Sequence, residues 1–396
     1  MATLFTTSLL DTDNRLSREA FTIDGSLLPA CRKSAWSVRK STLRGGLQEG
    51  VDVVEIDNGK LSFAVLPTRG MGILKAECGG ARFGWDSPVK DPVHPAFINL
   101  QERGGLGWLK GFNEWIVRCG LSSMGAPGPD VMVDNNGNTS EEFLNLHGKI
   151  ANTPARKVSL EITPGEIILR GEVDETMLFG PRLRLHTEIR TAFGSGALTI
   201  NDTVTNLGNQ PCEHELLYHV NYGKPLLEKG ARFLAPLKKM APRDARAAEG
   251  CKRFDRYGAP TAGFVEQVYF MELAAKPRSR ETVAMLRNAA GDTASVLRFS
   301  VRDFPCFSLW KNTAAVEDGY VTGFEPGTAF PNARQFERGQ GRVIELPGGA
   351  SRSTSLTVET LDKRKAVQAV EAEIRDLQKR VTAKVHPQPI PAFSGR

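Results

Sequence analysis

Apolar and polar positions alternate with a period of two through most of the chain beyond Val51. Leu61, Phe63 and Val65 form one such run, and Val158, Leu160 and Ile162 another; Ile167 and Leu169, then Leu183, Leu185 and Ile189, continue the pattern. Asn58-Gly59, Pro164-Gly165 and Gly194-Ser195-Gly196 separate the runs. Alternation sends successive side chains to opposite faces of a strand, and these short Gly-containing breaks favour tight reversals. The pattern therefore predicts antiparallel strands joined as hairpins. Another period governs the far end. Val367, Val370, Ile374, Leu377 and Val381 step by three and four with charges between them. That spacing predicts one amphipathic helix docked on the body, too short for a coiled coil. Residues 385–396 contain Pro387, Pro389 and Pro391 and are expected to stay flexible.

Two stretches break the alternation. Residues 1–44 mix short apolar pieces with Arg and Lys and read as an extension packed on the main body. Residues 84–145 are rich in Gly, Pro and Asn yet carry Trp85, Trp108, Phe112 and Trp115. A long loop with that many large aromatics is ordered, either as a cover over the sandwich or as part of a site. The expected organisation is thus an extension (1–44), a β-domain (45–361), and a helix with a tail (362–396). Regular strand–helix alternation with a glycine fingerprint does not occur, which argues against a doubly wound nucleotide fold.

The 396 residues are 40% hydrophobic and 24% charged, enough to bury a large core in one domain. No apolar run approaches the ~18 residues of a membrane span, and the first residues lack a basic leader. Six cysteines are scattered without a Cys-x-x-Cys pair, which fits a reducing cytoplasm better than a disulfide framework or zinc ribbon. The net charge of +6 comes from dispersed basic residues. Without an aromatic-interleaved basic stripe, nucleic acid is not an expected partner, and no membrane is. An anionic small molecule stays open.

Candidate chemistry concentrates in three places. Gly323-Phe324-Glu325-Pro326-Gly327 sets one carboxylate at the end of an apolar strand before the chain bends away through Pro331 and Asn332. That placement suits a general base. In Glu215-Leu216-Leu217-Tyr218-His219-Val220-Asn221, strand parity puts Leu216, Tyr218 and Val220 on one face. Glu215, Leu217, His219 and Asn221 fall on the other. His147 precedes Gly148, which would allow a ligand close to the backbone.

These segments resemble aldose 1-epimerases, the galactose mutarotases. Leu146-His147-Gly148 is similar to that family's Leu-His-Gly. Thr203-Val204-Thr205-Asn206-Leu207-Gly208-Asn209-Gln210-Pro211, followed by Tyr218-His219-Val220-Asn221, resembles its strand, turn and histidine segment. Glu325 through Ala333 resembles the stretch carrying its catalytic glutamate, and Leu346-Pro347-Gly348-Gly349-Ala350 its terminal turn. The matches run in the family's order across roughly residues 50–361. Val265-Glu266-Gln267-Val268-Tyr269 is similar to an element of the phosphorylated-hexose branch, with Glu266 in place of an aspartate. The run from Gly111 through Arg118 to Leu121 looks like a divergent branch of the family.

The resemblance implies an all-β, galactose mutarotase-like β-supersandwich with short peripheral helices and a C-terminal helix. It implies an isomerase that opens and closes a sugar ring without a cofactor, with Glu325 as base and His219, as imidazolium, as acid. His147, Arg118, Asn221, Glu266 and Arg69 would bind the sugar, and an acidic or phosphorylated aldose is as open as galactose. Two other readings keep the fold. One is a carbohydrate-binding protein without catalysis. The other is a metal-dependent sugar isomerase or lyase with zinc on His147, His219 and a carboxylate. Oligomeric state is not readable from the chain.

Overall fold

The computed structural model describes residues 3–28, 31, 35–133 and 135–395. Among these, the strands form two large sheets and one separate hairpin, Gly128–Val133 with Thr139–Leu144. The ten-stranded sheet runs from Arg232–Leu234 through Glu281–Arg287, Ala294–Ser300, Ser351–Leu361, Ala197–Asn206, Arg182–Ala192, Glu166–Thr176, Lys157–Ile162 and Phe5–Asp11 to Leu16–Ser17. The fourteen-stranded sheet has Gln267–Leu273, Cys306–Asn312, Val321–Gly327, Cys212–Tyr222 and Ile116–Leu121 side by side near its middle, each antiparallel to its neighbour.

The alternation in the sequence is the alternation of the pleat. Along Ala197–Asn206, Leu198, Ile200 and Val204 are buried while Thr199, Asn201, Thr203 and Thr205 are partly exposed. These inner residues share one core with Leu216, Tyr218, Val220, Tyr222, Leu309 and Phe324 of the larger sheet. Each buried aliphatic or aromatic side chain contributes about 1.5–3 kcal/mol. A slip of one residue would turn a whole row outward, so the core fixes the register. The chain forms the expected all-β sandwich of two large sheets.

The first 44 residues are not an extension lying on this body. Phe5–Asp11 pairs with Lys157–Ile162 in the ten-stranded sheet, Phe5 lying opposite Ile162. Phe21–Asp24 and Ser37–Thr42 continue the other sheet beyond Asp52–Asp57. The helix near the end spans Arg364–Gln378 and packs Val367, Val370, Ile374 and Leu377 on Val283, Met285, Ala294 and Val296. It stops before Val381. The proline-rich tail is held, against expectation. Lys384–Val385 pairs in parallel with Leu237–Pro242. Phe393 is buried, its ring centroid 4.7 Å from that of Phe330. Beyond Val385 no regular helix or strand follows among the described residues, and the buried Phe393 ring helps seat the segment. No helix among the described residues is long and apolar enough to cross a membrane.

Candidate active site

The site is built on the outer face of the larger sheet. In Val321–Gly327, Phe324 points into the sandwich core, so Gly323 and Glu325 point outward. In Cys212–Tyr222, Tyr218 and Val220 point inward, leaving His219 and Asn221 outward, as strand parity predicts. The two strands pair with Val220 opposite Phe324 and Asn221 opposite Gly323. One step further along the ladder, His219 meets Glu325, and their Nε2 and Oε1 atoms are 3.2 Å apart. Gly323 makes room for this pair. A Cβ there would lie 2.6 Å from His219 Cε1 and 3.0 Å from Glu325 Oε1.

Hydrogen bonds fix where the protons are. The Asn221 side-chain amide donates to the Glu114 carbonyl at 3.0 Å and the His219 carbonyl at 3.2 Å. Its Oδ1 is therefore the atom facing His219 Nδ1, 2.6 Å away, and it can only accept. Nδ1 carries the hydrogen and Nε2 is bare. Burial holds the His219 pKa well below its ordinary value, and His147 nearby adds to this. Glu325 moves the other way. Burial, reinforced by Glu266 and opposed by Arg243, pushes its pKa up to about 8. Near pH 7 these opposite shifts favour the neutral pair, with a proton on the Glu325 carboxyl and none on His219 Nε2. An imidazolium at His219 is not the resting state, because a buried cation there has lost its hydration.

His147 completes the polar group. Its Nδ1 donates to the Met124 carbonyl at 3.0 Å, which leaves Nε2 as an acceptor. Burial lowers its pKa to about 4. Its ring centroid is 5.6 Å from that of His219 and 4.7 Å from that of Trp108. Gly148 does not open the backbone to a ligand. It lets the chain pack on itself, since a Cβ would lie 2.0 Å from the Ser123 carbonyl oxygen.

These residues line a cavity of about 560 Å³, within the ~300–1,000 Å³ typical of small-molecule sites. Trp108, Phe112 and Trp310 supply aromatic walls, and Pro331, Asn332 and Phe336 follow Glu325 around the rim. Glu266 also lines it. One of its carboxylate oxygens accepts from Arg243 at 3.0 Å and the other from Trp310 Nε1 at 2.7 Å. Trp108 is buried, and its indole N–H has no hydrogen-bond partner among the described residues.

Arg118 and Arg69 lie elsewhere. Arg118 sits opposite Tyr218 in the ladder and so faces the sandwich core. There it is buried, bonded to Asp202, Thr187 and the Met71 carbonyl. Arg69 is equally buried and pairs with Glu114 at 2.6 Å. It also donates to the carbonyls of Val93 and Gly111, clamping the 84–114 loop to the body. Neither lines the cavity. Asn221 orients His219 and does not line the cavity either. Arg243, Trp310 and Gly395 do line it, and Arg243 and Gly395 carry no local signal in the sequence. Trp310 alone was within reach, as an aromatic on an alternating strand just before the Glu325 strand. Among the described residues, no group of three or more His, Cys, Asp or Glu is placed to hold a metal ion, so the zinc reading has no donor set.

The sequence model of the family described as Domain of unknown function (DUF4432) matches residues 48–360. A search of curated proteins found no match. Among solved structures, a putative aldose 1-epimerase from Klebsiella pneumoniae subsp. pneumoniae MGH 78578 is 38% identical with a TM-score of 0.91, covering 98% of this chain and 99% of that one. A galactose mutarotase-like protein from Clostridium acetobutylicum is 14% identical with a TM-score of 0.57, covering 82% and 98%. Galactose 1-epimerase from Lactobacillus acidophilus NCFM is 11% identical with a TM-score of 0.52, covering 82% and 99%. The last two are alike in fold alone.

Proposed function

The chain belongs to the DUF4432 family on the galactose mutarotase-like fold, and from that premise and the cavity's geometry we propose that it is an aldose 1-epimerase-like isomerase. The observation that carries this reading is the buried Glu325–His219 pair, 3.2 Å apart, in a cavity with aromatic walls; their opposite pKa shifts leave one proton for the pair to exchange. Exchanging anomers needs one group to take the proton of the anomeric hydroxyl and another to protonate the ring oxygen. The ring opens to the aldehyde, the C1–C2 bond turns, and closure on the other face reverses both transfers. The pair therefore ends each cycle with the proton it began with.

Glu325 serves as base once its resting proton has crossed to His219 Nε2, which makes His219 the acid. The carboxylic acid with imidazole and the carboxylate with imidazolium hold the same number of protons, so they form one active state in any pH profile. His147 Nε2 accepts from a sugar hydroxyl, and the unpartnered Trp108 N–H donates to one. Trp310 and Phe112 offer faces for the apolar side of a pyranose. Among the described lining residues Arg243 is the sole cation, and it is already bonded to Glu266 and Asp244. This balance favours a neutral aldose over an acidic or phosphorylated one.

Polarimetry or exchange NMR on freshly dissolved aldoses tests the reading. The parent chain is expected to speed anomer exchange of at least one neutral aldose. Glu325→Gln is expected to lower that rate by about 10²–10⁴-fold. Sugar binding without faster exchange by the parent chain would replace the isomerase with a carbohydrate-binding protein.

A further inference from the structure

Part of the cavity wall is built on neither sheet. Gly395 lines the cavity at the end of a segment held by four anchors. Phe393 is buried against Phe330. Its carbonyl accepts from Asn332 Nδ2 at 2.9 Å. The Ser394 hydroxyl donates to the Arg243 carbonyl at 2.6 Å, and Arg342 donates to the Ala392 carbonyl at 2.9 Å. Arg243 and Asn332 are themselves cavity residues. The segment therefore ties together the rim that follows Glu325 and the strand end that carries Arg243. The other walls are braced differently: the Trp108 loop by Arg69 and Glu114, the strands by their ladders.

We infer that residues 390–395 form a specificity element that closes one end of the site to sugars longer than a monosaccharide. The inference rests on the proposed sugar site. A monosaccharide leaves the four anchors intact. A second sugar unit that extends toward Gly395 would push it aside, unseating Phe393 and breaking the bonds to Asn332 and Arg243. Phe393 touches no reacting atom and acts here as a positioning residue.

The test compares glucose with maltose and galactose with galactobiose, using the full chain and its Phe393→Ala variant. Binding is read by the fluorescence of Trp108 and Trp310, and anomer exchange by NMR. The parent chain is expected to prefer the monosaccharide by about tenfold or more in Kd, and the variant to bring the ratio to within about threefold. Monosaccharide exchange should change much less. A deletion of residues 390–396 gives a second variant, read in the same way, should Phe393→Ala fail to fold. An unchanged ratio in a folded variant, or equal binding of both lengths by the parent chain, overturns the inference alone. Binding of no sugar by the parent chain overturns the sugar reading and this inference with it. A shifted ratio without exchange activity upholds the wall and removes only the isomerase.

Discussion

Replacing Glu325 with Gln should do two things at once: remove the base and stabilise the fold by an amount set by pH. The folded pKa of Glu325 is about 8 against an ordinary 4.5. A carboxyl whose pKa is raised on folding is fully compatible with the native state below pH 4.5, where both states hold the proton. As pH rises, the unfolded chain ionises first and gains free energy that the folded chain lacks. The cost grows by about 1.4 kcal/mol per pH unit, reaches about 3 kcal/mol at pH 7, and levels off near 5 kcal/mol above pH 8. Gln has the shape of the protonated acid and stays neutral beside His219 Nε2, so it keeps the packing and loses the titration. With an unfolding entropy of about 2.1 cal/mol/K per residue over 396 residues, the gain at pH 7 corresponds to roughly 4 °C in Tm. Other buried acids, Glu215 among them, contribute equally to both proteins and cancel in the difference. The assay is paired thermal melts of parent and variant from pH 4 to 8.5. A difference in Tm that does not change over this range would mean that Glu325 is ionised normally in the folded protein, and the proton placement argued above would fail.

The anomer-exchange rate should fall on the alkaline side with a midpoint near pH 8, where the pair loses its one proton, and hold level on the acid side to below the ordinary histidine range; an alkaline limb above pH 10 would contradict this. Gly323→Ala pushes a methyl into His219 Cε1, and a displacement near 1 Å should cost about 10²-fold in kcat; full activity would show that the ring position is not used. Asn221→Leu frees the His219 tautomer and is expected to lower kcat by about 10–100-fold with little change in KM. Arg118→Met leaves Asp202 unpaired in the core, so it should destabilise the fold by about 3–5 kcal/mol while the protein that remains folded keeps its KM; a raised KM at normal stability would put Arg118 back in the site.

Periodicity and family likeness carried the β-sandwich, the outward face of the His219 strand and the position of Glu325, because each depends on residues close together in the sequence. The misplacements have the opposite character. The direction Arg118 faces is decided by its pairing with Tyr218, a hundred residues away in the chain. Arg69 reads as a sugar-binding residue because its actual partners, Glu114 and the Val93 and Gly111 carbonyls, lie in a loop with no readable pattern. Residues 1–44 read as an extension because the strands that tie them into the two sheets, Lys157–Ile162 and Asp52–Asp57, lie outside the segment. The tail misled for the same reason: its prolines are visible, but the seat for Phe393 is made by Phe330.

The pairing of Phe5 with Ile162 also sets a timetable for synthesis. A nascent chain emerging at about 5–20 residues per second keeps that first strand without its long partner, Lys157–Ile162, for roughly 8–30 s, with only Leu16–Ser17 paired to one end of it. Closure of the same sheet then waits for Ser351–Leu361, which lies between Ala197–Asn206 and Ala294–Ser300. Through that interval the strand is an exposed edge, a stage at which a chaperone has something to hold.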